Sequence, residues 1–266
     1  MVVLTDKNTA GASEIFAGAL QDYNRVIVVG DSSTFGGGTV RQPMDIGRMV
    51  QLPSAKSRAG YLSATIQKFY RPSGLSTQVD GVKSDIVIPS LMDEFLIGEA
   101  YLEHHLLNDR ISPAPGFSPL EEKHPIIPRL KELSHRRVNE NSDFSYVIQD
   151  VTKTKERIKS NELSLNRSTR EMEYAGFVAI QHQRDVERKM RFDKLIKEDK
   201  ETFRFFKVTL ENLQQSVDLI PDDPASERVK QSKLEESDEA QKWQNRMNSA
   251  KREAIMVARD LVILQK

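Results

Sequence analysis

Residues 26–30, Val26-Ile27-Val28-Val29-Gly30, form an unbroken apolar run closed by glycine, and this run limits the fold more than any other feature of the chain. So short a stretch without a polar side chain reads as a buried strand. Residues 2–4, Val2-Val3-Leu4, form a second short apolar run, ended by Thr5-Asp6-Lys7-Asn8. Between the two, Ile15, Phe16, Ala19 and Leu20 recur with helical spacing over residues 12–23. Strand, helix and strand in so little chain make an α/β unit.

The glycine triplet Gly36-Gly37-Gly38 then excludes any regular element from the loop that holds it. Residues 39–52 and 61–70 read as longer strands able to pair; in the second, Leu62, Ala64 and Ile66 alternate with Ser63, Thr65 and Gln67. Pro72-Ser73-Gly74 is a turn, and residues 85–89 are a last short strand stopped by Pro89. From about residue 91 the character changes. Pro113, Pro115, Pro119, Pro125 and Pro128 mark a connecting arm, and residues 141–214 are helical in composition, with charged stretches at 153–159 and 184–200. Pro221-Asp222-Asp223-Pro224 interrupts this, residues 233–239 are a polar run, and residues 242–265 read as an amphipathic helix carrying Trp243, Met247, Ile255, Met256 and Leu264. The expectation is an α/β core over 1–90, a proline-containing arm over 91–128 and a mainly α-helical domain over 129–266, with no internal repeat.

Composition removes several function classes. Lysine plus arginine number 39 and aspartate plus glutamate 39, a balance that argues against a nucleic-acid binder reading its target with the whole chain. Cysteine is absent, which excludes disulfides, thiolate zinc sites and cysteine nucleophiles. No segment approaches the roughly 20 apolar residues that span a bilayer, and the start of the chain does not read as a signal peptide.

The most informative stretch is Asn8-Thr9-Ala10-Gly11-Ala12-Ser13-Glu14-Ile15-Phe16-Ala17-Gly18-Ala19-Leu20-Gln21-Asp22, followed by Val28-Val29-Gly30 and Thr34-Phe35-Gly36-Gly37-Gly38-Thr39-Val40. It resembles the C-terminal-processing, or tail-specific, serine peptidase family, in which a strand runs into an Ala-Ser-Ala-Ser-Glu-Ile helix start and a Thr-Phe-Gly-Lys-Gly loop follows. The resemblance continues through residues 65–71, 74–78, Gly81-Val82 and 85–87. It reaches Ile97-Gly98-Glu99-Ala100 and is dense over about residues 1–110. It implies a peptidase-type α/β core fragment followed by a helical domain.

The same resemblance assigns the nucleophile position to Gly11 and the lysine base position to Gly37, so both working side chains are lost. Serine–lysine chemistry needs a hydroxyl at a helix N-terminus beside an amine kept neutral by desolvation, and removing the nucleophile of a serine protease lowers turnover about a million-fold. Ala12 keeps the amide position that faces an oxyanion. Glu14 and Asp22 fall where family members carry acids and are read as vestigial. Gly11 and Gly37 are 26 residues apart, about one more than in the family pattern, and the extra residue near Ser32-Ser33 is expected to move the loop. The resemblance further implies that the PDZ module and the earlier core strands lie outside this chain. For the parent it implies endoproteolysis of proteins recognised at their C-termini, polypeptide partners, a bacterial periplasmic setting, and neither cofactor nor metal.

Other readings of the same residues are structural. Ser13, two residues beyond Gly11, is expected to face away from the vacated site, since two helical steps turn about 200°. Thr9 reads as a capping hydroxyl, Glu14 as favourable to the helix dipole, and Asp22 as a turn acceptor. Gly36-Gly37-Gly38 reads as a flexible loop ahead of an anion cradle. His104-His105 read as surface or interface residues ahead of metal ligands. Two alternatives to an inactive peptidase site remain: a peptide-binding or regulatory protein using a sheet edge around residues 39–52 and 61–70, and an enzyme with a relocated nucleophile.

Overall fold

The computed structural model describes residues 1–49, 60–120, 126–204, 206–207, 220–221 and 248–265. The expected features at residues 50–52, Asp222-Asp223-Pro224, 233–239 and Trp243 lie outside the described residues.

Two compact units are present, one formed by 1–159 with 249–266 and the other by 160–248. In the first, β1 (Val2–Thr5), β2 (Ile27–Gly30) and β5 (Ile86–Val87) make an all-parallel sheet in the order β1-β2-β5. Val2 pairs with Ile27 and Thr5 with Gly30, while Val29 pairs with Ile86. The continuous apolar run of residues 26–30 has a simple cause: β2 is central and covered on both faces, as parallel sheets are. Alternation sends Val26 and Val28 to one face, where they meet Ala17 of α1 (Ala12–Asp22) and Val82. Ile27 and Val29 go to the other, where they join Ile86, Ile88, Leu130, Phe144, Val257 and Leu261.

That second face is covered from the far end of the chain. α3 (Ile127–Glu140) and the C-terminal helix α6 (Ser249–Leu264) supply Leu130, Val138, Ala254, Val257 and Leu261, and α4 (Ser142–Ser160) adds Phe144. The result is an α/β core with helix on both faces of the sheet, followed by a mainly helical part. Arg137 of α3 joins Glu253 through Nε and Nη2 and Asp260 through Nη1, so a nearly buried ion network ties α3 to α6.

β3 (Thr39–Asp45) and β4 (Tyr61–Lys68) form a separate antiparallel pair with an irregularity between Val40 and Arg41, and α2 (Ile46–Met49) follows β3. The alternation in β4 does not produce a buried face: Leu62 and Ile66 are about half exposed. In the second unit, α5 (Arg167–Thr202) begins at an Asn166 side chain that accepts from the amides of Ser168 and Thr169. Its residues 171–180 are all exposed, and β6 (Phe206–Lys207) pairs with β7 (Ile220–Pro221). No helix among the described residues is long and apolar enough to cross a membrane.

Candidate functional site

β1 delivers the chain through a tight turn into α1. In that turn Asp6 Oδ1 accepts from the Asn8 amide (3.0 Å) and from Thr9 Oγ1 (2.9 Å), and Thr9 Oγ1 accepts from the Asp6 amide (3.1 Å). Thr9 therefore does not cap α1. Its hydroxyl is committed to Asp6, two residues too early, and Gly11 stands at the N-cap with no side-chain cap.

Gly11 has φ 59° and ψ −118°. An L side chain adopts such a conformation only under strain of about 1–3 kcal/mol, and the sharp strand-to-helix turns that present nucleophilic serines in hydrolases are strained in the same way. A Cβ built on Gly11 meets nothing within 4 Å. The space for a side chain is there, and only the backbone opposes it.

Glu14 organises what surrounds this turn. It is fully buried, and its carboxylate accepts four hydrogen bonds. Oε1 takes Thr34 Oγ1 at 2.5 Å and the Gly36 amide at 2.8 Å. Oε2 takes the Gly37 amide at 2.9 Å and the Gly11 amide at 3.0 Å. Burial pushes the carboxyl above its ordinary range, with the bonds from Thr34, Gly36, Gly11 and Gly37 pulling only part of the way back. The favourable charge–dipole position explains little of this. Glu14 is the anion that the glycine loop cradles.

The loop is consequently fixed, which corrects the expectation of a flexible segment. The Thr34 amide donates to Val82 O, the Phe35 amide to Thr9 O, those of Gly36 and Gly37 to Glu14, and that of Gly38 to Gln78 Oε1 at 2.9 Å. Every amide from 34 to 38 is engaged. A Cβ on Gly37 would lie 3.4 Å from Glu14 Oε2 and 3.8 Å from the Gly11 nitrogen. The 26-residue spacing thus still brings the two positions together, because Glu14 clamps both amides.

Behind the loop, Gln78 is fully buried; its Nε2 donates to Glu99 Oε1 (3.2 Å) and to Leu106 O (3.0 Å), and Arg41 Nη2 reaches Glu99 Oε1 at 3.4 Å. Val79, next to it, has φ 72°, a strained value for a β-branched residue, and its amide donates to Gly36 O. Thr34, Gln78, Val79 and Glu99 carried no individual signal in the sequence; three of them lie in stretches that resemble the peptidase family, but polar residues among glycines do not announce burial.

Asp22 is not part of this arrangement. It lies at the other end of α1, about 16 Å along the helix axis from Gly11. There Oδ1 pairs with Arg71 and Oδ2 accepts from the Ser73 amide at 3.0 Å. Its role is to hold the Arg71–Ser73 turn against the helix end. His104 and His105 lie outside any helix, and His105 Nδ1 approaches Leu102 O at 2.8 Å.

A groove of about 380 Å³ opens at the N-terminal end of α1, walled by Val3, Leu4 and Thr5 of β1, by Thr9, and by Ala12, Ser13 and Phe16 of α1. Ser13 is among the residues that line the groove, and Gly11 is not. The amides of Ala12 and Ser13 have no partner among the described residues, as expected for the first turn of a helix. One hydroxyl–amine pair exists nearby: Lys7 Nζ donates to Ser33 Oγ at 2.9 Å. That amine also pairs with Asp93 Oδ1 at 3.6 Å, and neither Lys7 nor Ser33 walls the groove.

Residues 1–88, which hold the parallel sheet and the strand-to-helix turn at Gly11, match the family model of peptidase family S41. Residues 92–263 match the C-terminal domain of tail specific protease, and the chain belongs to the tail-specific protease family. Over 176 residues it is 35% identical to the tail-specific protease of Haemophilus influenzae, covering 65% of this chain and 25% of that protein. It is 33% identical over 133 residues to a carboxy-terminal-processing protease of Bartonella bacilliformis (46% of this chain, 28% of that one). With a carboxy-terminal processing protease of Bacillus subtilis it shares 38% over 109 residues (40% and 20%). The chain spans about a quarter of the length of these relatives.

Proposed function

We propose that this chain carries the scaffold of a tail-specific endopeptidase site that no longer cleaves. The parent activity is hydrolysis of polypeptides recognised at their C-termini, in a bacterial periplasm, by serine attack with a lysine as base and then acid. Here Gly11 supplies no hydroxyl and Gly37 no amine, while Ala12 keeps an amide toward the oxyanion and Glu14 holds the two positions together. The observation that carries the reading is the adjacency of two side-chain-free positions at a strained helix start, 3.8 Å from the Cβ site of Gly37 to the Gly11 nitrogen. We assign 1–90 to the peptidase core, 91–128 to a connecting arm and 129–266 to the helical domain.

The test is cleavage of an unfolded, apolar-tailed model protein by the native chain and by the Gly11→Ser, Gly37→Lys double variant. An inert native chain and a cleaving variant support the reading. Cleavage by the native chain that a serine-directed inhibitor blocks would overturn it.

A second reading is non-catalytic peptide binding at a sheet edge. It is favoured by β1, which pairs only with β2 among the described residues, and by β3 and β4, which pair only with each other. Saturable binding of extended peptides without turnover is its signature.

A further inference from the structure

We propose that Asp31, Lys7 and Asp93 form a proton-sensitive clasp at the carboxyl ends of the three parallel strands: a proton taken up from solvent by Asp31 tightens the turn that leads β1 into α1, and its release loosens that turn. The clasp goes beyond the peptidase reading and does not depend on it, since it needs neither a nucleophile at position 11 nor a base at position 37.

The three strands end on one cluster. Asp6 and Lys7 follow β1, Asp31, Ser32 and Ser33 follow β2, and Ser90 and Asp93 follow β5, with Asp93 in a single 3-10 turn over Leu91–Glu94. Asp31 is 7% exposed; its amide donates to Thr5 O at 3.2 Å, and its Oδ2 accepts the Lys7 amide at 2.8 Å. One carboxylate oxygen thus pins the start of the turn that continues through Asn8 and Thr9 to Gly11. The Lys7 ammonium goes elsewhere, to Ser33 Oγ at 2.9 Å and to Asp93 Oδ1 at 3.6 Å. Asp93 also accepts from the Ser32 amide and, at 2.6 Å, from the Ser32 hydroxyl. Among the described residues no cation pairs with Asp31.

An acid so placed favours its neutral form. Burial raises the Asp31 carboxyl above its ordinary range; bonds from the Lys7 amide and the Ser90 hydroxyl pull it part of the way back, and the like charges of Asp93 and Asp6 push it up again. From the β5 side the Ser84 hydroxyl donates to Asp31 O at 2.6 Å. The charged neighbours on that side are committed elsewhere: Asp85 Oδ2 takes the Val28 amide and Gln21 Nε2, Lys83 meets Ser33 through the backbone, and Glu94 pairs with Lys155. Opening the turn frees the Lys7 amide and hydrates the carboxyl, which then returns toward its ordinary 3.8. The closed turn therefore binds the proton more tightly than the open one, so acid favours closure and the advantage is lost as pH rises through the raised value. Neutral Asp31 still accepts the Lys7 amide at one oxygen, so protonation removes the charge and keeps the bond.

The experiment follows amide hydrogen exchange on the full chain from about pH 4 to pH 8, a range that brackets a raised aspartate. Rates are corrected for the intrinsic pH dependence of exchange, and the Asp31 carboxyl carbon is titrated by NMR in parallel. Protection of the Lys7 amide is expected to rise several-fold as pH falls, with the midpoint of the Asp31 carbon titration. Asp31→Asn keeps an oxygen for the Lys7 amide and cannot titrate, so protection there should stay high and flat. The Gly37 amide, which donates to Glu14, should keep its own pH dependence in that variant. Asp93→Asn removes a like charge and should move the Lys7 midpoint to lower pH, a displacement that a purely structural contact would not give. Constant protection, protection that rises with pH, a dependence that survives in Asp31→Asn, or an unmoved midpoint in Asp93→Asn would overturn the proposal. If circular dichroism shows that Asp31→Asn does not fold, the native titration and Asp93→Asn still decide it. None of these outcomes bears on cleavage by the Gly11→Ser, Gly37→Lys variant, so the clasp and the peptidase reading stand or fall separately.

Discussion

A Cβ on Gly37 would stand 3.8 Å from the amide nitrogen of Gly11, although 26 residues separate the two in sequence. The two glycines differ in what they permit. Gly11 has a positive φ that resists any side chain, whereas Gly37 does not, and its Cβ would make ordinary contact with Glu14 Oε2 at 3.4 Å. Gly11→Ser should therefore lower stability by about 1–3 kcal/mol, and Gly37→Lys should change it by less than about 1 kcal/mol. Urea denaturation of the two single variants checks this. A Gly37→Lys chain destabilised more than Gly11→Ser would contradict it.

Glu14 is the clamp, and its carboxylate has no conservative replacement. In Glu14→Gln one oxygen becomes an NH2 group facing two donors, so two hydrogen bonds are lost and a repulsive contact is created. A loss of about 2–6 kcal/mol is expected, from roughly 1–3 kcal/mol for each of the two buried donors left unsatisfied. The loop of residues 34–38 should show it first, as faster amide exchange at Gly36 and Gly37.

The same group gives a pH signature. Burial, opposed by hydrogen bonds from Thr34, Gly36, Gly11 and Gly37, leaves the Glu14 carboxyl above its ordinary 4.5. Between 4.5 and that raised value the native chain keeps a proton that the unfolded chain releases, so the stability from this group falls as pH rises through the window. Glu14→Gln has no such proton. The stability gap between native chain and variant should therefore be widest on the acid side and narrow as pH rises, which denaturation curves at several pH values will measure. A gap that widens with rising pH would mean the carboxyl is lowered in the fold.

Val79 offers a stabilising change. With φ 72° it occupies left-handed backbone that β-branched residues avoid and asparagine tolerates. Its contribution to the loop is the amide that donates to Gly36 O, which any non-proline residue keeps. Val79→Asn should gain about 1 kcal/mol, read as a rise in the urea midpoint; a loss would show that its half-buried side chain packs more tightly than the strain it carries.

What could be read from the sequence follows from where each signal resides. The strand at 27–30 was legible because burial on both faces leaves an unbroken apolar run, and α1 because one of its faces is apolar at helical spacing. Positions 11 and 37 were legible as a pair through family resemblance. The clamp between them was not, since all four donors to Glu14 are local in space yet three come from Thr34, Gly36 and Gly37 on another loop. Thr9 was misjudged because the capping rule presupposes a regular helix start, and Gly11 provides an irregular one. Nor could the sequence reveal that α6 returns from the chain's end to cover β1 and β2, because an amphipathic helix does not name the surface it covers.

That return is held by charge as well as by Val257 and Leu261. Desolvation alone would lower the Arg137 guanidinium's affinity for its proton, but bonds and attraction from Glu253 and Asp260 outweigh it and raise the value further. Removing the cation strands two mostly buried carboxylates. Arg137→Met should therefore cost about 3–5 kcal/mol, the range for breaking one side of a buried ion pair. Adding Glu253→Gln and Asp260→Asn removes the stranded charge, and the triple variant should recover a large part of the loss. Chemical denaturation across the cycle separates the two outcomes. A triple variant no more stable than Arg137→Met would mean that the network acts through packing of the arginine stem against α6 and not through its charge.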